Sequence, residues 1–443
     1  MKKVLFVLII AACAYVPVFS QNEWTLRQTV EYAIAHNITV RQANISSLRA
    51  TLDARQASTR IYPSASFNNN TGFRFGRVEN PVTGVFENTN SVFSTFGFNT
   101  SVNIFNFYSQ RNNISGNRFL LESAKASEEK AKNDIALRVA NAYLLALQAK
   151  EQVIINDYKI KLSQEQLLVT RKRVDAGALP ELNAAEIEAQ LATDSSTLVT
   201  SISERELRLL ELKAILNLDA AVPFDIETPD ESKIRIQSLA DLQPEHVFQL
   251  ALANLPQRRI NEFNLNAAQK FRDAARGNMF PSISIGGQLS TNFFQPFQSP
   301  RKIPFGHQIE TNFGQSIGLG LNVPLFNGYF ARTNWEKAKL DIRDIQLQSE
   351  LDIQTLKQDI YTAYNSALAA LQKNIASQKA VETAQRSYDL SKKRYDANLL
   401  TSFELITNQN NLFKAQIDLL LARYDYIFKM KLLEFYKGEG MQL

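Results

Sequence analysis

Three histidines, a single cysteine and scattered acidic pairs are the residues of this chain that could ligate a metal or do catalysis. His36, His246 and His307 lie far apart, and none has a second histidine at helical spacing, as a metal centre would need. Cys13 has no partner thiol, so no intrachain disulfide forms. No Gly-rich loop runs into a Lys-Ser or Lys-Thr pair to cradle phosphate. Acidic pairs such as Glu128-Glu129 stand in Lys-rich helical stretches, where a solvated surface accounts for them. The chain is therefore not read as an enzyme, and neither a cofactor nor a metal is expected.

The elements that hold these residues begin with a removable segment. Lys2-Lys3, the apolar run Val4 to Ala12 and the small ending Val18-Phe19-Ser20 describe a signal peptide cut after Ser20. A lipoprotein site at Ile10-Ala11-Ala12-Cys13 is the alternative. The 49 Lys and Arg barely exceed the 44 Asp and Glu, and no basic stripe is interleaved with aromatics, so nucleic acid is not an expected partner. No later stretch is apolar for the roughly 20 residues of a membrane helix. If the mature chain spans a membrane, it does so as strands.

Apolar spacing predicts a helix from Thr25 to about Ile61 with a break at Asn37, stopped by Pro63. Strands follow at about Ala65–Gly76 and Phe93–Phe105, joined through Asn80-Pro81 and Gly84. In the second, Phe96, Phe98, Val102 and Ile104 alternate with Gly97, Asn99, Ser101 and Asn103, giving one apolar and one small, polar face. A long helix, Tyr108 to Ala176, reaches a turn at Gly177–Pro180, and another helix runs from Glu181 to Leu216. The second half replays this order: a helix over 244–278, strands at Ser282–Phe294 and Phe313–Phe326, and a long helix from Tyr329 to Ala397.

The replay keeps register. The seam of Ile135, Val139, Ala142, Ala146 and Ala149, spaced by fours and threes, returns 221 positions later as Leu356, Ile360, Ala363, Ala367 and Ala370. Phe105-Asn106, Tyr108 and Arg111 likewise return as Phe326-Asn327, Tyr329 and Arg332. A duplication explains this. The expected organisation is a signal peptide (1–20), a first repeat (21–218), a connector (219–244), a second repeat (245–437) and a short tail (438–443). At about 1.5 Å per residue, each long run would reach roughly 100 Å, beyond what a compact globule buries.

Four strands cannot close a membrane barrel, and open edges in lipid would leave backbone groups unpaired at several kcal/mol each. Two copies would supply eight strands and three copies twelve, both even numbers within the usual range. Phe73, Phe75, Phe93, Phe293, Phe294 and Phe313, near strand ends, suit an aromatic girdle at the interface.

In this order of elements, given twice, the chain resembles the TolC family of outer-membrane efflux proteins. The residues that carry the likeness are Ala142-Tyr143 and Ala363-Tyr364 in the seams and Leu325-Phe326-Asn327-Gly328 after the last strand. Before the turns they are Arg173-Val174-Asp175-Ala176-Gly177 and Arg394-Tyr395-Asp396-Ala397-Asn398. The resemblance implies a membrane protein of mixed α/β class, internally duplicated: a homotrimeric 12-stranded barrel in the outer membrane, continued by a coiled-coil tunnel through the periplasm. It implies passive conduction, with a periplasmic adaptor and an inner-membrane pump as partners and outer-membrane lipid around the barrel. The adaptor-docking turns would be Gly177, Ala178 and Leu179, with Asn398, Leu399 and Leu400. Tyr395 matches the family's gate tyrosine and Glu404 a constriction carboxylate, while Asn183 stands where the tyrosine's acidic partner would be. On the residues alone, Glu404 is a solvated helix residue, Tyr395 a packing residue and Gly177 a C-cap. A trimeric coiled-coil adhesin with a strand anchor is the alternative, but it would need neither a duplicated turn nor a second strand pair in mid-chain.

Overall fold

The computed structural model describes residues 23–79, 84–88, 90–229, 237–298 and 302–439. The expected signal segment with Cys13, the Asn80-Pro81 pair and the end of the tail lie outside them. Helix α1 (Leu26–His36) opens with a capping box between Thr25 and Gln28 and ends where Asn37 takes an extended backbone, before α2 (Ile38–Thr59). Strand β1 (Ser64–Arg74), the short pair β2 (Arg77–Glu79) and β3 (Phe86–Asn88), and β4 (Ser91–Phe105) lead into α3 (Ser109–Asp175) and α4 (Glu181–Leu216). The second half runs α5 (Pro244–Asn254), α6 (Pro256–Gly277), β5 (Ser282–Pro296), α7 (Phe305–Thr311), β6 (Gly314–Asn322), α8 (Phe330–Asp396) and α9 (Ser402–Lys437).

Helices α3 and α8 are both 67 residues long, α4 and α9 both 36, and each pair is offset by 221 positions at both ends. Two expected element bounds need correction. The single helix over 244–278 is broken at Leu255, which is extended (φ −76°, ψ 142°). Pro256 excludes the helical region for the residue before it. The strand expected to reach Phe326 stops at Asn322, because Pro324 has no N–H for a ladder. The β2–β3 pair and α7 fall in stretches read as loop.

Two compact units emerge, and both long helices contribute to each. One unit comprises Ser46–Ala126 and Arg259–Glu350 and holds the sheet, ordered β1-β4-β5-β6 and antiparallel throughout. Its register sorts the side chains as the alternation predicts. Phe67, Phe98 and Leu289 lie side by side on one face, as do Val102, Ile285 and Leu319. Ser66, Asn99, Gln288 and Ser316 form a row on the other. Phe93 and Phe294 depart from the girdle expectation: they pair on the polar face, and Phe294 is buried, its N–H donating to Gln308 Oε1 at 3.0 Å. Strands β1 and β6 each have a neighbour on one side only.

Where each strand pair feeds its long helix, two successive residues take the left-handed conformation: Phe107 and Tyr108 in the first half, Gly328 and Tyr329 in the second. The first junction is fixed by Phe107 stacking on Phe280 at 3.9 Å and by a 2.8 Å bond between Ser109 Oγ and Asn278 Oδ1.

The other unit is helical, with a core of Leu26, Val30, Val139, Tyr143, Leu147, Leu212 and Ile226 among others, and a second core around Val247, Ile360, Ala367 and Met430. Here Ala146, Ala149, Ala363, Ala367 and Ala370 of the seams are buried and Ala142 half-buried, as close helix approach requires. Trp24 bridges Ile226 in parallel. The Tyr143 hydroxyl, on α3, reaches both flanking carbonyls, at 3.0 Å from Trp24 O and 2.7 Å from Glu227 O. Lys150 adds bonds to Glu23 (2.7 Å) and to Ile226 O (2.6 Å). Burial, with the Glu227 carboxylate second, pushes the Tyr143 phenol well above its ordinary range, so it remains a donor.

A methyl group at Gly277 would stand 2.9 Å from both Phe107 O and Ser109 Cβ. Gly277→Ala is expected to cost roughly 1–3 kcal/mol through overpacking against backbone. Gly318→Ala, with nothing within 4 Å, serves as the neutral control. Thermal unfolding followed by circular dichroism separates the two.

Candidate functional site

The turn that ends each long helix is the same motif built from different residues. Gly177 (φ 71°) and Asn398 (φ 59°) are both left-handed. In the first turn the N–H groups of Gly177 and Ala178 donate to Val174 O and Arg173 O, both at 2.8 Å. In the second, Asn398 and Leu399 donate to Tyr395 O and Arg394 O at 2.9 and 2.8 Å. This is the Schellman closure, which needs a residue that tolerates positive φ. Gly177, Ala178, Asn398 and Leu399 are exposed. Leu179 is half-buried, and Leu400 turns inward onto a cluster of Tyr388, Tyr395, Leu405 and Leu412.

Toward these turns the seam of α3 changes character. After Ala149, seven-residue steps land on Asn156, Ser163 and Thr170, which are 2%, 1% and 1% exposed. The heptad continues, but the buried residue is now polar. An unpaired buried polar atom costs about 1–3 kcal/mol; Asn156 Nδ2 bears that cost, whereas Ser163 and Thr170 find partners. Thr170 Oγ1 lies 3.0 Å from the Tyr395 hydroxyl of α8. Gln166 donates to Tyr388 at 3.1 Å. Ser163 donates to Asp194 Oδ2 of α4 at 2.7 Å and accepts from Gln409 of α9 at 3.3 Å. Asp194 also receives Lys159 at 2.8 Å and Gln190 at 2.6 Å, and its side chain is fully buried. Gln190 and Asn410 exchange bonds at 3.3 and 3.2 Å. Near the turns, Arg173 pairs with Asp396 at 3.5 Å, and Ser402 donates to Glu186. These contacts tie the helix pair of the first half to that of the second.

The structure therefore places Tyr395 in a buried inter-helix bond, with Thr170 as partner. Asn183 is half-buried in the first turn of α4, where its N–H donates to Pro180 O at 3.1 Å. Glu404 is exposed and closes a capping box on α9: its Oε2 accepts from Thr401 N (3.1 Å) and Thr401 Oγ1 (2.8 Å), while its own N–H donates to Thr401 Oγ1 (3.3 Å). The backbone N–H of Thr401, followed by its hydroxyl, holds the Glu404 carboxyl below its ordinary 4.5. Thr170, Asp194, Lys159 and Gln409 complete the set without having been candidates.

Nothing in this arrangement resembles a reaction centre. Among the described residues no group of His, Cys, Asp and Glu is placed to hold a metal. Gly314, Ser316 and Gly318 do carry the spacing of a hydrolase nucleophile elbow. They lie within the ladder of β6 and not at a strand-to-helix turn, so the strained geometry of that motif is missing.

Comparison with known proteins accords with this geometry. The family described as outer membrane efflux protein matches residues 29–218 and 247–434. The chain is 22% identical over 417 residues to toxin and drug export protein A of Aggregatibacter actinomycetemcomitans, covering 92% of this chain and 86% of the relative. It is 27% identical over 319 residues to the pyoverdine export outer membrane protein OpmQ of Pseudomonas aeruginosa, covering 69% and 63%. Among solved structures, CusC superimposes with a TM-score of 0.79 at 18% identity, covering 95% of this chain and 93% of that one. That likeness concerns the fold.

Two outcomes follow from the buried polar seam and its cap. Asp194→Ala strands the Lys159 ammonium, which is 14% exposed, and is expected to cost roughly 3–5 kcal/mol. Lys159→Met added to it recovers most of that loss, as chemical denaturation of single and double variants would read. Since the folded Glu404 carboxyl titrates below 4.5, its cap is fully present above that value and is lost as pH falls through the lower folded value. The hydrogen-exchange protection of the Thr401 amide should therefore hold from neutral pH down to 4.5 and collapse only below it.

Proposed function

Because this chain belongs to the outer membrane efflux protein family, we propose that three copies close their sheets into one barrel and carry efflux or secretion cargo through the bore. The protein is an outer-membrane component of an export system, with helices extending into the periplasm. The observation that carries the trimeric duct is the sheet itself. Ile317, Leu319 and Leu321 on the edge strand β6 are 84%, 71% and 66% exposed in the single chain. Each would gain about 1.5–3 kcal/mol on leaving water, and lipid around a closed barrel covers them while neighbouring copies pair the edges.

Conduction in this reading is passive. A periplasmic adaptor docks at the exposed turns around Gly177-Ala178 and Asn398-Leu399, and an inner-membrane pump supplies the energy and selects the cargo. The names of the relatives, one a toxin and drug exporter and one a pyoverdine exporter, favour a range of cargo classes. The gate lies at the same end. Tyr395 with Thr170, and Arg173 with Asp396, hold the two helix pairs together, and parting them widens the bore. Glu404, one per chain, sets the charge at the constriction, and Asn183 begins the helix beside it.

Purified protein should crosslink as trimers and conduct in planar bilayers, and deleting the gene should raise dye accumulation in cells. Tyr395→Phe removes the bond to Thr170 and is expected to raise conductance. Glu404→Gln keeps the cap, since glutamine also completes a capping box, but removes the charge and lowers cation preference. If single-channel conductance and ion preference are unchanged in both variants, the gate assignment fails.

A further inference from the structure

Among the described residues, the four strands of the main sheet carry one charged side chain, Arg74 at the end of β1. Apart from Phe93, Phe294 and Pro296 toward the Arg74 end, the polar face is built from amides, hydroxyls and glycine. Its rows read Asn68, Gly97, Ser290 and Gly314; then Ser66, Asn99, Gln288 and Ser316; then Ser64, Ser101, Gly286 and Gly318. The side chains bond to one another: Asn99 Nδ2 donates to Asn68 Oδ1 at 2.7 Å, and the Ser64 and Ser101 hydroxyls meet at 3.2 Å. Glycine leaves these polar atoms uncovered. A Cβ at Gly97 would stand 2.9 Å from Asn68 Oδ1, and one at Gly320 would stand 2.9 Å from Ser284 Oγ.

Arg74 does not charge this surface from a distance. It sits with its guanidinium 5.0 Å from the centre of the Phe93 ring, eight residues along β1 from Ser66. At about 3.4 Å per residue that is roughly 27 Å, against a screening length of about 10 Å at 0.1 M salt. The rows around Gln288 are electrically neutral.

We propose that this face is a charge-free, hydrogen-bonding lining that lets polar cargo of either charge sign pass the sheet equally, leaving charge selection to the two ends of the duct. The inference rests on the duct reading above. A ring of fixed charge in a bore holds ions of one sign and repels the other. Neutral amides and hydroxyls offer only weak bonds that water exchanges, so cargo is neither sorted nor retained here.

The test uses the full protein in planar bilayers under a KCl gradient, reading the K⁺ to Cl⁻ permeability ratio. Gln288 is exposed, so Gln288→Glu and Gln288→Lys should both assemble. The two substitutions are expected to move the ratio in opposite directions by similar factors, roughly threefold or more, since lumen-facing substitutions tune selectivity. Channels that conduct with an unchanged ratio in both variants would show that this face does not line the path. A large shift from one variant with none from the other would reveal a resident charge and overturn the neutrality. Absence of conductance in the unsubstituted protein would instead sink the duct reading.

Discussion

Backbone groups on an open strand edge must find partners, and most of this structure answers to that requirement. Four antiparallel strands leave β1 and β6 with one neighbour each, and one face of the sheet is apolar. In water such a sheet would be an aggregation template. In a lipid layer its unpaired edges would be costlier still. In the proposed duct, closure through further copies satisfies both faces and both edges.

Small residues and polar residues divide the work along each long helix. The alanines of α3 and α8 allow close approach where the seam is apolar, and their burial contributes stability without direction. Ser163 and Thr170 continue the same heptad, but their hydrogen bonds have direction and fixed length. A helix that slid by a turn would leave Asp194, Lys159 and Gln409 unpaired in a low-dielectric interior, which is far more costly than displaced alanines. The apolar part of the seam therefore supplies adhesion, and the polar part near the turns specifies one register. That specificity lies in the stretch of each long helix nearest its turn.

Local signals made much of this legible beforehand. Gly177 and Pro180 bracketed the first turn, and the bounds of α4 at Glu181 and Leu216 follow from them. Strand alternation sorted the two faces of the sheet correctly, since period two admits no other assignment once one face is apolar. The break at Leu255 was present in the sequence as Pro256, but apolar periodicity continued across it and masked it. Thr401-x-x-Glu404 was likewise readable as a capping box, a local role closer to hand than any in a constriction. The choice of Thr170 as partner of Tyr395 was not readable, because it depends on how two helices 225 positions apart are rotated against each other. Helix α7 gave no signal: its seven residues have neither a side-chain cap nor a period.

The fixed offset between the repeats has a consequence for how such a chain can change over generations. Both helix pairs keep one spacing of 221 positions from the strand junctions to the C-terminal caps, whereas Ser64 and Ser282, which open the sheets' two hairpins, are 218 apart. All the length drift between the copies has thus accumulated in and between the strands. The helices behave as a matched pair of rulers: neither copy has gained or lost a residue relative to its twin, while the stretches in and between the strands have changed length. The strand region of each copy has thus been free to change length, while the helical region has kept one length in both.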